Sequence, residues 1–175
     1  MIETKIKQTV RDVNDFPKPG IVFKDITPIL KDAVLCGEIT AALASQLADI
    51  KIDVIAGIES RGFLFGMALA NLLNVPFVPI RKAGKLPHKT IQQSYDLEYG
   101  SATLEMHEDA VLPGQHVLIH DDLLATGGTV VAASKLIEKM GAVVAGYSFI
   151  IALDFLNGKD RLKTFSDHNF ALASY

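Results

Sequence analysis

Four apolar runs separated by helical stretches constrain this chain more than any other feature. They are Asp53-Val54-Ile55-Ala56-Gly57-Ile58, Pro76–Ile80, His116–Asp121 and Val143–Leu153. Each is too uniformly apolar for a strand with one wet face, so each reads as a strand buried on both sides. Pro76 and Pro79 in the second run argue for an edge or a strand end. Between the runs the spacing turns helical. Ile39, Leu43, Leu47 and Ile50 recur over residues 35–50, and Phe63–Leu73 is apolar nearly all round. Thr129–Met140 puts Val130, Ala133, Ile137 and Met140 on one face before Gly141 ends it. Strand and helix in alternation require right-handed crossovers and a mainly parallel sheet flanked by helices. In such α/β sheets ligands sit beyond the carboxyl ends of the strands.

The flanking segments are of other kinds. Ile2, Ile6, Val10 and Val13 form the stripe of a short amphipathic helix over 2–13, stopped by Phe16-Pro17-Lys18-Pro19-Gly20. Ile21, Val22 and Phe23 then lie without helical spacing, either in the core or walling a flat ligand. Residues 82–102 are polar and contain Gly84, Pro87 and Gly100. So long an excursion between core elements reads as a lid, a binding loop or a hairpin. Asn169–Ala173 reads as a last edge strand.

Charge and composition exclude several classes. A chain of 175 residues favours one domain, and a formal net charge of -3 gives no global footprint for nucleic acid. Cys36 is the single cysteine, so neither an intramolecular disulfide nor a two-cysteine metal motif is available. No apolar run resembles a signal peptide or a membrane span, and the chain reads as cytoplasmic. An anion site must therefore be local.

The richest local stretch is Val117-Leu118-Ile119-His120-Asp121-Asp122-Leu123-Leu124-Ala125-Thr126-Gly127-Gly128-Thr129. Two carboxylates at the end of a buried strand need hydrogen-bond donors or a cation. Vicinal ribose hydroxyls supply donors, and magnesium is the alternative. The Thr126–Thr129 turn opens a helix whose amides and dipole favour an anion, with glycines admitting a phosphate to the backbone. The two ends together suit a ribose 5-phosphate. A second cluster gathers Arg81, Lys82, Lys85, His88 and Lys89 with no acid among them. It is either a solvated basic loop or a lid for a polyanion. A third, Gly57-Ile58-Glu59-Ser60-Arg61-Gly62, is again strand, turn and helix start. Glu59 and Arg61 there are equally readable as a capping acid and a surface cation.

The Val117–Thr129 string closely resembles the phosphoribosyl pyrophosphate (PRPP) signature of the type I phosphoribosyltransferases. Leu123-Leu124-Ala125-Thr126-Gly127-Gly128 is similar to the version in adenine-using members, as are Gly84-Lys85-Leu86-Pro87 and Tyr95-Asp96-Leu97-Glu98-Tyr99-Gly100. The resemblance runs from Phe16 to about Gly158. It implies one domain over 1–175, with a small hood from about 1–34 plus 154–160 and a flexible catalytic loop over about 82–102. It assigns the ribose and 5-phosphate to Asp121, Asp122, Ala125, Thr126, Gly127, Gly128 and Thr129. Pyrophosphate falls to Glu59, Ser60, Arg61, Arg81, Lys82, Lys85 and His88, with a cis peptide at Glu59–Ser60.

By the same resemblance Phe23 and Leu156 cover the faces of adenine, and the backbone near Val22 and Lys24 reads its edge. Glu98 is the implied acid–base residue, Arg61 and Lys85 assist catalysis, and Tyr99 belongs to the closing loop. The implied reaction joins adenine to PRPP, giving AMP and pyrophosphate, with Mg²⁺ carried mainly by PRPP rather than by a protein metal site. A homodimer with Arg81 near the partner is also implied. Two positions depart from many relatives, which have arginine for Lys24 and an acid for Ala152. Two rival functions fit the same signature: a phosphoribosyltransferase for hypoxanthine, guanine or xanthine, and a PRPP-sensing regulator without turnover.

Overall fold

The computed structural model describes residues 1–97 and 100–175. In chain order the elements are α1 (Ile2–Thr9), β1 (Arg11–Asn14), β2 (Val22–Asp25), α2 (Ala33–Gln46), β3 (Val54–Ile58), α3 (Gly62–Leu73) and β4 (Phe77–Lys82). Then come β5 (Thr90–Asp96), β6 (Ser101–His107), β7 (His116–Leu124), α4 (Gly128–Lys139), β8 (Val143–Ala152), α5 (Gly158–Leu162) and β9 (Asn169–Ser174).

Seven strands make one sheet in the order β5-β6-β4-β3-β7-β8-β9. β4, β3, β7, β8 and β9 run parallel, as the apolar runs require, and β6 and β5 add an antiparallel end. One face packs on α4 through Val130, Ala133, Leu136 and Ile137. The other packs on α1, α2 and α3 through Ile6, Ile39, Leu43, Phe65 and Leu69. Burial on both faces is why β3 and β8 carry almost no polar side chains.

Several boundaries differ from the sequence reading. The first helix stops at Thr9, and Val13 lies in β1 opposite Phe23. The β-branched side chain of Val13 is as well served by that pairing as by a helix, and the β1–β2 ladder satisfies its backbone. β4 lies inside the sheet by order, but β6 pairs only with its last two residues, Arg81 and Lys82. Pro79 therefore falls where no ladder bond to β6 is needed. The polar excursion over 82–102 is mostly the β5–β6 hairpin, whose register runs from Thr90↔His107 to Asp96↔Ser101. β7 continues past its two aspartates to Leu124, because β8 pairs alongside as far as Leu124↔Ala152. The acids lie within the strand, not at its end.

Candidate active site

The chain leaves β3 to form β4 on one side and later returns to place β7 on the other. The loops after β3 and β7 therefore diverge over a shared crevice at the strands' carboxyl ends. Glu59–Arg61 lies on the first loop, and Asp121 to Thr129 spans the second strand end and its turn.

Asp122 is 3% exposed, and its Oδ2 lies 2.9 Å from Arg61 Nε. Asp121 Oδ1 accepts the backbone N–H of Asp122 at 2.8 Å. Burial pushes the Asp121 carboxyl well above the usual range, and the neighbouring Asp122 adds to the effect. Burial also raises Asp122, against the pull of Arg61. Two crowded carboxyls with one cation between them are a site short of positive charge and donors.

The turn that follows in the chain opens α4. Gly127 is left-handed, at φ 81°, and opens α4 with no side chain capping the helix. The first-turn amides and the helix dipole are thus presented to an anion. Thr129 Oγ1 donates to the Tyr95 hydroxyl at 3.3 Å, which brings the hairpin over the turn. Arg161 Nη1 donates to Thr126 O at 3.1 Å. A Cβ on Gly158 would lie 2.2 Å from Ala125 O, so only glycine lets this segment close on the turn. That contact ties Leu156, two residues earlier, to the phosphate side of the crevice.

The basic cluster converges on Glu59. Its carboxylate accepts the Lys82 backbone N–H at 2.9 Å, meets Arg81 Nε at 3.3 Å and lies 3.4 Å from Lys85 Nζ. Burial works to raise the Glu59 carboxyl, but the Lys82 amide and the cations hold it below its ordinary value. Glu59–Ser60 is a cis peptide, in agreement with the resemblance. His88 lies near His107, with ring centres 6.4 Å apart, and Lys89 pairs loosely with Glu108. Those two stand apart from the ion pairs at Glu59.

Of the two readings open for Ile21, Val22 and Phe23, a core plug is excluded for the first two, which are 41% and 48% exposed. Phe23 is half-buried, edge-on to Phe16 and beneath the Arg61 guanidinium at 4.9 Å. The Lys24 ammonium pairs with Asp12 at 2.7 Å and stands 4.0 Å over the Tyr175 ring. Its side chain is turned to those partners, leaving the backbone as its route to a base edge. Leu156 is exposed on a short 3-10 turn, Asp154–Leu156, beside a cavity of ≈ 260 Å³ lined by Leu124, Ala152, Asp154 and Asn157 among others.

Glu98 and Tyr99 lie outside the described residues. Arg161, Tyr95 as the Thr129 partner, and Glu105 were not identified from sequence. Glu105 stands between two apolar residues in a strand, a pattern that reads as a wet face.

The family model described as Phosphoribosyl transferase domain matches residues 24–163, which places the chain among the phosphoribosyltransferases. It is 52% identical to the adenine phosphoribosyltransferase of Cytophaga hutchinsonii over 175 residues, covering 100% of this chain and 97% of that one. The crystal structure of adenine phosphoribosyltransferase from Thermoanaerobacter pseudethanolicus superposes with a TM-score of 0.96 at 48% identity, covering 100% of both chains. The Saccharomyces cerevisiae adenine phosphoribosyltransferase, complexed with an imino-altritol 1,6-bisphosphate and adenine, matches with a TM-score of 0.90 at 40% identity, covering 98% of each chain. The chain belongs to the adenine phosphoribosyltransferase family.

Proposed function

We propose that the protein transfers the 5-phosphoribosyl group of PRPP to N9 of adenine, forming AMP and releasing pyrophosphate. What supports this reading is the acid pair Asp121–Asp122 on β7, followed in the chain by the uncapped start of α4. Ribose hydroxyls donate to the carboxyls, and the 5-phosphate takes the amides of residues 125–129. A relative solved with adenine and a sugar bisphosphate analogue together supports the pairing of ligands.

In the reaction the bond from C1 of the ribose to the pyrophosphate oxygen breaks as the bond to N9 forms. Negative charge gathers on the leaving group and positive charge on the sugar ring. We assign Arg61, Lys82 and Lys85 to the first, together with Arg81, which Glu59 holds near Lys85. Glu59, being an anion, serves pyrophosphate by holding Arg81 and Lys85, and we assign Ser60 beside it to the same ligand. The Asp121 and Asp122 carboxyl oxygens favour the developing charge on the ring. The N9 proton passes to a base, a role we assign to Glu98. Phe23 and Leu156 bound the base, and the backbone near Val22 and Lys24 reads its edge. We assign His88 to the pyrophosphate and Tyr99 to the closing loop.

Among the described residues, no group of three or more His, Cys, Asp or Glu side chains gathers as a metal site. Mg²⁺ would be held mainly by PRPP oxygens, with the Asp121 and Asp122 carboxyls as the candidate protein groups beside it. Bound there, Mg²⁺ would neutralise charge on the leaving pyrophosphate.

We further propose a cytoplasmic homodimer. No helix among the described residues is long and apolar enough to cross a membrane. Leu64, Met67 and Leu72 remain exposed on α3, which offers an apolar face to a second copy.

The test is product formation from adenine, hypoxanthine, guanine and xanthine, each with PRPP and Mg²⁺. AMP and pyrophosphate from adenine alone are expected. Turnover of an oxopurine in preference to adenine, or PRPP binding with no turnover, contradicts the reading.

A further inference from the structure

Glu105 is a carboxylate with 2% exposure in the middle of β6, between Leu104 and Met106. Its backbone is in register with Arg81 on one side and Gln92 on the other. Oε1 accepts the backbone N–H groups of Lys85 and Leu86, both at 2.8 Å. Oε2 accepts from the Thr90 hydroxyl at 3.3 Å and the Gln92 amide at 3.4 Å. All four partners are donors, and an ionised carboxylate is the one side chain of this size that offers only acceptors. Burial works to raise its carboxyl, yet the amides of Leu86, Gly84 and Lys85 hold it below the ordinary range.

The segment it holds is the one that needs holding. Arg81, Lys82 and Lys85 lie within five residues and repel one another unless an anion is near. Glu59 meets this segment from the β3 side through the Arg81 and Lys85 side chains and the Lys82 amide. Glu105 meets the same segment from below, through its backbone, and joins it to the β5–β6 hairpin.

We propose that Glu105 is a positioning residue for the leaving-group side of the reaction. Its buried carboxylate fixes the Lys85–Leu86 backbone, so that Arg81, Lys82 and Lys85 meet pyrophosphate as a preformed set. The role rests on the proposed reading that these cations face pyrophosphate. It involves no contact of Glu105 with substrate.

The test uses the intact protein and Glu105→Gln, which keeps volume but sets an amide N–H₂ against donors. Steady-state kinetics give kcat and KM for PRPP and adenine, and calorimetry gives the affinity for pyrophosphate with Mg²⁺. We expect kcat/KM for PRPP and pyrophosphate affinity to fall at least about tenfold, with KM for adenine within about twofold, since small misplacement of a charged group is costly. Glu105→Asp keeps the acceptors and should restore part of the loss. If Glu105→Gln does not fold, Thr90→Val and Gln92→Leu each remove one donor to Oε2 and should give smaller losses in the same parameters. Unchanged PRPP and pyrophosphate parameters in the variants that fold overturn the proposal, as do equal losses for adenine and PRPP. Wild-type turnover of adenine with a wild-type-like Glu105→Gln sinks only the positioning role. A wild type that neither turns over nor binds pyrophosphate sinks both readings.

Discussion

The Arg61 guanidinium joins the two halves of the crevice: its Nε lies 2.9 Å from Asp122 Oδ2, and its carbon stands 4.9 Å over the Phe23 ring. One planar cation thus touches the acid assigned to ribose and the aromatic assigned to adenine. A flat guanidinium can lay its face on a ring while its edge N–H groups reach a carboxylate, a geometry that a compact ammonium does not copy.

Replacing Arg61 by Lys keeps the charge and loses the stacking. We expect kcat/KM to fall roughly tenfold, with KM rising for adenine as well as for PRPP, because the planar contact on Phe23 and the Nε contact to Asp122 do not carry over together to an ammonium. Arg61→Ala should also lower stability at neutral pH by roughly 1–2 kcal/mol, tempered by the partial exposure of the arginine. Initial-rate kinetics and thermal melts check both.

Asp121 combines function with a stability cost. Its folded-state pKa lies above the ordinary value because it is buried beside Asp122. The native state therefore keeps a proton that the unfolded chain has already released. Stability then declines as pH rises from the ordinary carboxylate range through the raised value, and the cost persists above it. Asp121→Asn keeps an oxygen for the Asp122 N–H and removes the charge. Its melting temperature at pH 7 should rise by about 2–4 °C, roughly 1 kcal/mol, and the gain should vanish near about pH 3. KM for PRPP should rise at least about tenfold, since a ribose hydroxyl loses a charged acceptor. Calorimetry across pH, with kinetics at pH 7, separates the two effects.

Much of this was legible in the sequence, for reasons particular residues make clear. The parallel sheet followed from Val54–Ile58, His116–Asp121 and Val143–Leu153, because strands covered on both faces cannot hide their composition. The acid pair and the glycine turn were adjacent in the chain, so their chemistry could be read without a fold. Glu105 and Arg161 could not be read, since each gains its meaning from a partner 13 to 35 residues away. The extension of β7 past its acids was hidden for the same reason: β8, not β7, decides where that ladder stops.

Gly158 tests how tightly the base side and the phosphate side are joined. A Cβ there would lie 2.2 Å from Ala125 O, a contact that only a backbone shift relieves. Gly158→Ala should cost roughly 1–3 kcal/mol of stability, typical of overpacking against backbone. It should weaken adenine and PRPP binding together. Chemical denaturation and kinetics with each substrate varied provide the measurement.

Tyr175 tests the hood alone. Its backbone N–H donates to Ala152 O and its carbonyl accepts from Asp154 N–H, while its ring underlies Lys24. Tyr175→Ala should cost on the order of 1 kcal/mol, the scale of a cation–π contact and its packing. KM for adenine should rise severalfold while KM for PRPP stays near the wild-type value. Equal changes in both would place Tyr175 in general packing.

The clasp of a sugar phosphate between Asp121, Asp122 and the start of α4 is the claim on which the rest depends. Calorimetric titration of the wild type and of an Asp121→Asn, Asp122→Asn double variant with PRPP and Mg²⁺ tests it directly. Saturable binding of one PRPP per chain by the wild type, lost in the folded double variant, is the predicted result. No binding by the wild type, or equal affinity in the two proteins, would contradict it.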